Sequence, residues 1–104
     1  MVIELTGDNL SQYIGESKLV VFFKTDWCGV CKDAFKYLKD VTGMNVVVVN
    51  ADTHVRSCKF YPIKFKHYPT IAYYENGYFI GEIEDYSAIN EEVIKFIELI
   101  SFNT

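Results

Sequence analysis

The chain has 104 residues, of which half are apolar and 23% are charged, and its formal net charge is −4. This length is typical of one domain, so we expect a single domain over residues 1–104. The composition excludes intrinsic disorder, collagen and coiled-coil sequences. The acidic balance argues against nucleic acid as a partner, because phosphate binding needs a basic surface.

No stretch of the sequence predicts a membrane span, a secretory signal or a disulfide scaffold. The apolar runs at residues 19–23 and 46–49 are far shorter than the roughly 20 residues of a spanning helix. No basic stretch precedes an apolar one near the N-terminus, and the chain has only three cysteines. A secreted scaffold of this size would carry a larger and even number. We therefore expect a cytoplasmic protein without membrane contact, in which a close cysteine pair is catalytic or metal-binding.

The first half of the chain alternates between strand and helix patterns. Residues 2–5 form a short apolar strand, and Thr6 and Asp8 are candidate N-caps for a helix that stops near Gly15. The run at residues 19–23 is apolar on both faces, which is typical of a central strand covered on both sides. Apolar residues then recur at helical spacing between charged ones: Cys31, Ala34, Phe35, Leu38 and Val41.

The second half begins with the expected end of that helix at Gly43 and continues with a buried strand at residues 46–49. A short helix capped by Thr53 is expected to reach about residue 60. Strands at residues 70–74 and 78–83 flank an Asn-Gly pair, which is a strong hairpin signal.

A last helix, capped by Asn90, completes the predicted order β-α-β-α-β-α-β-β-α. Its apolar stripe comprises Val93, Phe96, Ile97 and Ile100. Parallel units come first and an antiparallel hairpin ends the sheet. Because the two central strands are apolar on both faces, helices must cover both faces, so the sequence predicts an α/β fold.

A Cys-x-x-Cys motif lies where the central strand passes into the amphipathic helix. Cys28 opens the helix, where free backbone N–H groups and the helix dipole stabilise a thiolate. Cys31 follows one turn later, so its sulfur is expected to be more buried yet within reach of Cys28. The pair can then alternate between dithiol and disulfide. Gly29 leaves room for a substrate sulfur, Lys32 adds positive charge, and Trp27 offers a flat apolar surface.

A second candidate site is Tyr68-Pro69-Thr70, directly before an apolar strand. Proline is disfavoured inside a sheet. A cis bond before Pro69 would turn the chain and expose the backbone of Tyr68 for pairing with a peptide. Considered alone, however, the proline fits an ordinary trans residue at a strand start better, because cis is a minority of X–Pro bonds.

Taken together, these motifs resemble the thioredoxin family. The resemblance rests on Trp-Cys-Gly-x-Cys-Lys at residues 27–32, on x-Pro-Thr about forty residues later, and on the Asn-Gly hairpin. It covers roughly residues 2–100 and implies a thioredoxin fold, a five-stranded mixed sheet flanked by four helices, with a cis Pro69. Cys28 is implied to be the catalytic nucleophile and Cys31 the resolving cysteine. The implied substrate groove and its supporting residues are Trp27, Gly29, Val30, Lys32, Tyr68, Pro69 and Thr70.

The resemblance implies a thiol-disulfide oxidoreductase, an electron carrier that reduces disulfides in other proteins. Cys28 would attack the substrate disulfide, and Cys31 would then release the substrate while the Cys28–Cys31 disulfide forms. The chain would bind no cofactor, and its glycines form no dinucleotide fingerprint. NADPH would act only through a separate flavin-dependent donor like thioredoxin reductase. We expect the protein to be a monomer.

The chain departs from the family's usual pattern in three respects. Val30 stands where a proline is usual, at a position that affects the redox potential. Phe22 stands where the family usually has a buried aspartate, and Val48 where a partner lysine is common. Because a buried carboxylate is costly, Phe22 should stabilise the core, and Cys31 should pass its proton to water or to the neighbouring thiolate. Asp85 stands where a glycine usually opens the groove, and it would favour basic partners.

The sequence also contains a possible zinc set, with the spacing C-x₂-C-x₂₂-H-x₃-C over Cys28, Cys31, His54 and Cys58. Zinc sites of this kind usually occur in domains with little core, whereas this chain has ample apolar residues, so we expect no metal. Cys58 is interpreted as a helix residue and His67 as a solvated loop residue. Three lysines are interpreted as a solvated face: Lys59, Lys64 and Lys66.

Two other functions remain open at this point. A glutaredoxin-like reductase would use glutathione, although that group usually has Pro-Tyr where this chain has Gly29-Val30. A docking module on the same fold would not need its cysteines. Loss of disulfide reduction together with retained partner binding, after substitution of both cysteines by serine, would favour the docking module.

Overall fold

The computed structural model describes residues 1–54 and 68–83, together with Lys95 and Leu99. The elements of the two continuous ranges are, in chain order, β1 (Val2–Glu4), α1 (Ser11–Ile14), β2 (Leu19–Lys24), α2 (Gly29–Leu38), β3 (Asn45–Asn50), β4 (Thr70–Glu75) and β5 (Tyr78–Ile83). Each strand lies within one residue of its predicted bounds. Lys95 and Leu99 are helical, while Asn90 and the apolar stripe of the last helix lie outside the described residues.

The strands form one mixed sheet of five strands in the order β1-β3-β2-β4-β5. β3 is parallel to both β1 and β2, whereas β4 is antiparallel to β2 and to β5. Parallel neighbours need a crossover connection, and α2 supplies the one between β2 and β3. The predicted five-stranded mixed sheet is therefore confirmed.

The central strand β2 is buried on both faces, as its composition predicts. Val20 and Phe22 face one core cluster, which also holds Cys31, Ala34 and Leu38 of α2. Leu19, Val21 and Phe23 face the opposite cluster, which also holds Leu5, Leu10 and Tyr74. Because successive side chains of a strand point to opposite faces, one apolar run serves both halves of the core.

The hairpin between β4 and β5 turns on Asn76 and Gly77, as predicted. Their φ angles are 51° and 87°, and positive values at both central positions are typical of the type I′ turn. Asn76 also donates its backbone N–H to the carbonyl oxygens of Glu16 and Ser17, at 3.1 and 3.2 Å. The turn is thereby tied to the loop that leads into the central strand.

The start of α1 differs from the prediction. Its N-cap is Leu10, which makes no side-chain capping bond, so neither Thr6 nor Asp8 caps this helix. Leu10 is 1% exposed. Its burial in the core places the first helical turn later in the chain than the local capping signals indicate. The predicted end at Gly15, the C-cap, is confirmed.

The end of α2 also differs from the prediction. The helix ends at Leu38, with Lys39 as its C-cap, and does not reach Gly43. Val41 is nevertheless buried in the same core cluster. It reaches that cluster from the loop, where its N–H bonds the carbonyl of Leu38 at 3.1 Å. Gly43 lies in the loop after the helix, and its positive φ of 81° is a backbone conformation that favours glycine. Within the described part of the chain, no helix is both long and apolar enough to span a bilayer.

Of the predicted short helix after β3, the structure describes only the start. Thr53 lies in a turn, where its hydroxyl donates a 3.3 Å hydrogen bond to the carbonyl of Asn50. The remainder of this predicted helix lies outside the described residues.

Phe22 should contribute strongly to stability, because it is 1% exposed and its ring centroid lies 6.1 Å from that of Phe35. We expect Phe22→Ala to lower the free energy of unfolding by about 3–5 kcal/mol, measured by urea denaturation of the oxidised protein. Tyr78 is 74% exposed, so Tyr78→Ala serves as an aromatic control with an expected change within about 0.5 kcal/mol. Equal losses in the two variants would contradict the importance of Phe22.

The ionisation of the Tyr73 phenol should make the free energy of unfolding depend on pH in the alkaline range. Its hydroxyl donates a 2.8 Å hydrogen bond to Glu75. Burial, followed by this hydrogen bond and the charge of Glu75, raises the pKa of Tyr73 from 10.0 to about 12. The stabilisation linked to the neutral phenol is thus complete below pH 10.0 and is lost as the pH rises through about 12. Tyr73→Phe should flatten this loss in urea denaturation at alkaline pH, and an unchanged slope would contradict the assignment.

Candidate active site

Cys28 is the N-cap of α2, with the extended backbone angles φ −92° and ψ 103°. Its Sγ accepts a 3.2 Å hydrogen bond from the backbone N–H of Cys31. A helix start leaves its first N–H groups without intrahelical partners, and here a sulfur atom satisfies one of them. Because the helix dipole favours negative charge at this end, the same geometry stabilises a thiolate at Cys28.

Cys28 and Cys31 are joined in a disulfide, with their Cα atoms 5.4 Å apart. That separation is usual for disulfides. Cys28 is 7% exposed and Cys31 is 3% exposed, so the expected deeper burial of the second cysteine is confirmed. The pair therefore presents Cys28 towards the surface and Cys31 towards the core.

The predicted second site lies directly against the first. The Tyr68–Pro69 peptide bond is cis, and the carbonyl oxygen of Tyr68 lies 3.5 Å from the Sγ of Cys28. The sheet explains this approach, because Thr70 at the start of β4 pairs with Phe23 near the end of β2. The antiparallel register thus places the residues before β4 and after β2 at the same end of the sheet.

An open aromatic surface borders Cys28. Trp27 is 73% exposed, and its ring meets that of Tyr68 edge-on at a centroid distance of 6.2 Å. Beyond its chain neighbours and its own helix backbone, a Cβ atom added at Gly29 would meet nothing within 4 Å. Lys32 is exposed on α2, and Val30 is half-buried against the core. Trp27, Gly29, Val30 and Lys32 are thus chain neighbours of the cysteine pair, and Tyr68 reaches Cys28 from the sheet, while their roles in substrate binding remain predictions.

A cavity of about 250 Å³ extends behind the cysteines. Its apolar wall includes Phe22, Phe35 and Val48, and both cysteines also line it. Phe22 pairs with Val48 across the sheet, and Val48 pairs with Glu4 of β1. The two positions at which the family commonly has an aspartate and a lysine are therefore neighbours here, and both are apolar.

Charged side chains also line this cavity. Lys24 and Asp26 line it and form an ion pair, with Nζ and Oδ1 2.9 Å apart. Asn50 donates a 3.1 Å hydrogen bond to the same carboxylate oxygen. The hydrogen bond from Lys24, then that from Asn50, lowers the pKa of Asp26. No sequence motif points to these residues, although Lys24 lies two positions after Phe22 and so shares its face of the strand.

The zinc hypothesis needs two thiolates where the structure has a disulfide. His54 is also engaged, because its Nε2 lies 2.9 Å from the carbonyl oxygen of Leu5. Over residues 1–54 and 68–83, no group of three or more potential metal ligands occurs. Several candidate residues from the sequence lie outside the described ranges: Cys58, Lys59, Lys64, Lys66, His67 and Asp85.

Comparisons with known proteins agree with this geometry. A family model described as Thioredoxin matches residues 1–99. Protein disulfide-isomerase A5 of Mus musculus is 30% identical over 88 residues, which make up 80% of this chain and 17% of that protein. The corresponding protein of Bos taurus is 28% identical over the same length. The chain thus spans only 17% of the length of the curated relatives that it matches.

Solved structures show the same fold over nearly the whole chain. Thioredoxin f2 of Chlamydomonas reinhardtii superimposes with a TM-score of 0.76 at 24% identity, covering 96% of both chains. The reduced thioredoxin pre-protein of Schistosoma mansoni has a TM-score of 0.68 at 28% identity, covering 91% of this chain and 97% of the other.

Proposed function

Because this chain belongs to the thioredoxin family, we propose that it is a protein-disulfide reductase that carries electrons from a donor to disulfides in other proteins. The chain is a thioredoxin-like oxidoreductase with its disulfide in the Cys-x-x-Cys position. The observation that carries the finer proposal is the place of Cys28, which caps α2 and lies 3.5 Å from the carbonyl oxygen of Tyr68. A nucleophile and a backbone acceptor for a peptide thus lie side by side.

The proposed reaction takes two exchange steps. The Cys28 thiolate attacks one sulfur of the substrate disulfide, a bond forms between these two sulfurs, and the other substrate sulfur leaves as a thiolate. Cys31 then loses its proton and attacks the Sγ of Cys28, which expels the first substrate sulfur. Both expelled thiolates take protons, so two electrons and two protons have passed to the substrate and the Cys28–Cys31 disulfide remains.

Substrate contact is proposed for the aromatic surface around Cys28. Trp27 is large, apolar and 73% exposed, and such residues often carry binding energy at interfaces. Tyr68 meets it edge-on and has its carbonyl beside the nucleophile. We propose that a disulfide-bearing segment lies against Trp27 and pairs with the backbone near Tyr68 and Pro69.

The electron donor and the compartment are proposed from the need to reduce the disulfide again and from the number of cysteines. The Cys28–Cys31 disulfide must be reduced again after each cycle, and we propose a flavin-dependent, NADPH-using donor like thioredoxin reductase. The odd number of three cysteines supports a reducing compartment such as the cytoplasm. We propose that the protein works as a monomer, and that it binds neither nucleic acid nor membranes.

Serine variants test the assignment of the two cysteines. Cys28→Ser should lower insulin-disulfide reduction at least about a hundredfold, because it removes the attacking thiolate. Cys31→Ser should trap a mixed disulfide at Cys28, detected by mass spectrometry. Cys58→Ser is the matched control and should retain activity. Substantial reduction by the Cys28→Ser variant would contradict the proposal, whereas reduction supported by glutathione alone would favour a glutaredoxin-like enzyme.

The reduction potential separates a reductase from an isomerase, a role suggested by the similarity to protein disulfide-isomerase A5. We expect equilibration of the Cys28–Cys31 pair against glutathione buffers to give a value well below the cytosolic glutathione poise, as a reductant requires. A value near about −180 mV is that of protein disulfide isomerase. Such a value would replace the reductase proposal with an oxidant or isomerase.

A further inference from the structure

A loop of three residues, 25–27, joins the end of β2 to Cys28, the N-cap of α2. Where the loop begins, the carbonyl of Lys24 accepts a 2.8 Å hydrogen bond from the N–H of Ala51, directly after β3. Farther on, the carbonyl of Thr25 accepts a 3.4 Å hydrogen bond from the N–H of Cys28. That second bond closes the loop on itself, so side-chain contacts decide how the rest of the loop lies against the sheet.

Packing holds only the start of this loop. Thr25 is 2% exposed, whereas the Asp26 side chain and Trp27 are both 73% exposed. Ordering a side chain costs conformational entropy, and a ring that is mainly exposed has little packing to offset it. Trp27 nevertheless meets the ring of Tyr68 edge-on. A polar contact that fixes the backbone before Trp27 would explain how the indole keeps this orientation.

Two side chains of the sheet hold the carboxylate of Asp26. The Nζ of Lys24 and the Nδ2 of Asn50 both donate to its Oδ1, at 2.9 and 3.1 Å. Lys24 and Asn50 are partners in the pairing of β2 with β3, so they lie side by side where the loop leaves the sheet. Asn50 is itself held, because its Oδ1 accepts a 3.0 Å hydrogen bond from the N–H of Asp52. We call Lys24, Asp26 and Asn50 the Asp26 clamp.

The Asp26 clamp is suited to positioning rather than to stability. The hydrogen bond from Lys24, then that from Asn50, lowers the pKa of Asp26, so the carboxylate is ionised at neutral pH and both bonds are charge-assisted. Two donors on one oxygen fix where the carboxylate lies. An ion pair as exposed as this one contributes little to the free energy of unfolding, because solvent screens it. Its consequence is therefore expected in the geometry of the loop.

We propose that Asp26 is a positioning residue of the reductase, whose clamp holds the loop so that Trp27 lies ready beside Cys28 to receive a disulfide-bearing protein segment. The inference rests on the reductase function proposed above. With Trp27 held in advance, a protein substrate does not have to order the indole on binding, so its affinity is higher. The clamp takes no part in the sulfur exchange at Cys28 and Cys31. A small disulfide that does not extend over Trp27 should therefore react equally fast without the clamp.

Asn50→Asp cuts the Asp26 clamp at one bond. Aspartate keeps an oxygen for the N–H of Asp52, but it replaces the donating amide with a second oxygen, which repels the carboxylate of Asp26. Asn45→Asp is the matched control. Asn45 begins the same strand, at the far end of the sheet, and its Nδ2 donates to the carboxylate of Glu16 at 3.0 and 3.2 Å. Both variants thus replace an amide–carboxylate hydrogen bond with two carboxylates.

The kinetic test compares a protein substrate with a small one. Reduced protein is mixed with insulin over a range of concentrations, or with hydroxyethyl disulfide, and oxidation of the Cys28–Cys31 pair is followed in a single turnover. Asn50→Asp should raise the half-saturating insulin concentration about fivefold, the effect of having to order one side chain on binding. Its maximal rate with insulin and its rate with hydroxyethyl disulfide should match those of the parent, and Asn45→Asp should match the parent throughout.

Equal half-saturating concentrations in the parent and Asn50→Asp would overturn the proposal, and so would equal shifts in Asn50→Asp and Asn45→Asp. If the unsubstituted protein reduced neither disulfide, the proposed function would fail, whereas normal kinetics of Asn50→Asp with insulin contradict the clamp alone.

Trp27 is the only tryptophan of the chain, so intrinsic fluorescence reports on the loop directly. Time-resolved anisotropy should show a larger fast component, on the nanosecond scale, in Asn50→Asp than in the parent or in Asn45→Asp. A merely structural role would lower the melting temperature without this change. Unchanged anisotropy in Asn50→Asp would therefore overturn the proposal, whatever its melting temperature.

Removal of the other partner tests whether Asp26 and Asn50 act through one bond. Asp26→Ala should raise the half-saturating insulin concentration at least as much as Asn50→Asp does, and adding Asn50→Asp to it should cause no further rise. Effects that multiply in the double variant would overturn the clamp.

Discussion

The hydrogen bond from the backbone N–H of Cys31 to the sulfur of Cys28 is the contact on which the site depends. It exists because α2 begins at Gly29, directly after Cys28. The sulfur takes the place of a capping oxygen and lies where the helix dipole is positive. One local arrangement thus favours a thiolate at Cys28 and holds Cys31 one turn away, so the proposed nucleophile and the proposed resolving cysteine come from a single helix start.

The sheet supplies the rigid frame for this helix start. β2 is buried on both faces and paired on both edges, with β3 on one side and β4 on the other. Its end is therefore held in place when it passes into the loop before Cys28. The same pairing with β4 brings Pro69 to this end of the sheet. Core packing and site geometry are thus consequences of one central strand.

Near the cysteines, the charged side chains are more exposed than the apolar sheet positions under α2. Phe22 and Val48 make the sheet surface under α2 apolar, which avoids the cost of a buried carboxylate. Lys24 and Asp26 also line the cavity, and their side chains are 24% and 73% exposed, so solvent screens their ion pair. Cys31 therefore shares its cavity with charged residues, while the sheet positions under α2 stay apolar.

The sequence by itself determined the elements whose signals are local. A run that is apolar on both faces marks a central strand, Asn76-Gly77 marks a hairpin turn, and a Cys-x-x-Cys pair at a strand-to-helix junction marks a helix start. Local signals were insufficient at the ends of the helices. The capping residues Thr6 and Asp8 do not cap α1, because the burial of Leu10 decides where that helix begins.

Only the tertiary structure decided what brings distant residues together. The residues of the Tyr68–Pro69 bond favour trans when considered alone, yet the bond is cis beside Cys28. The cavity beside Cys31 is lined by residues from β1, β2, α2 and β3. A pattern along the chain reports which face a side chain takes, but the space enclosed between elements depends on how they pack, which no single segment encodes.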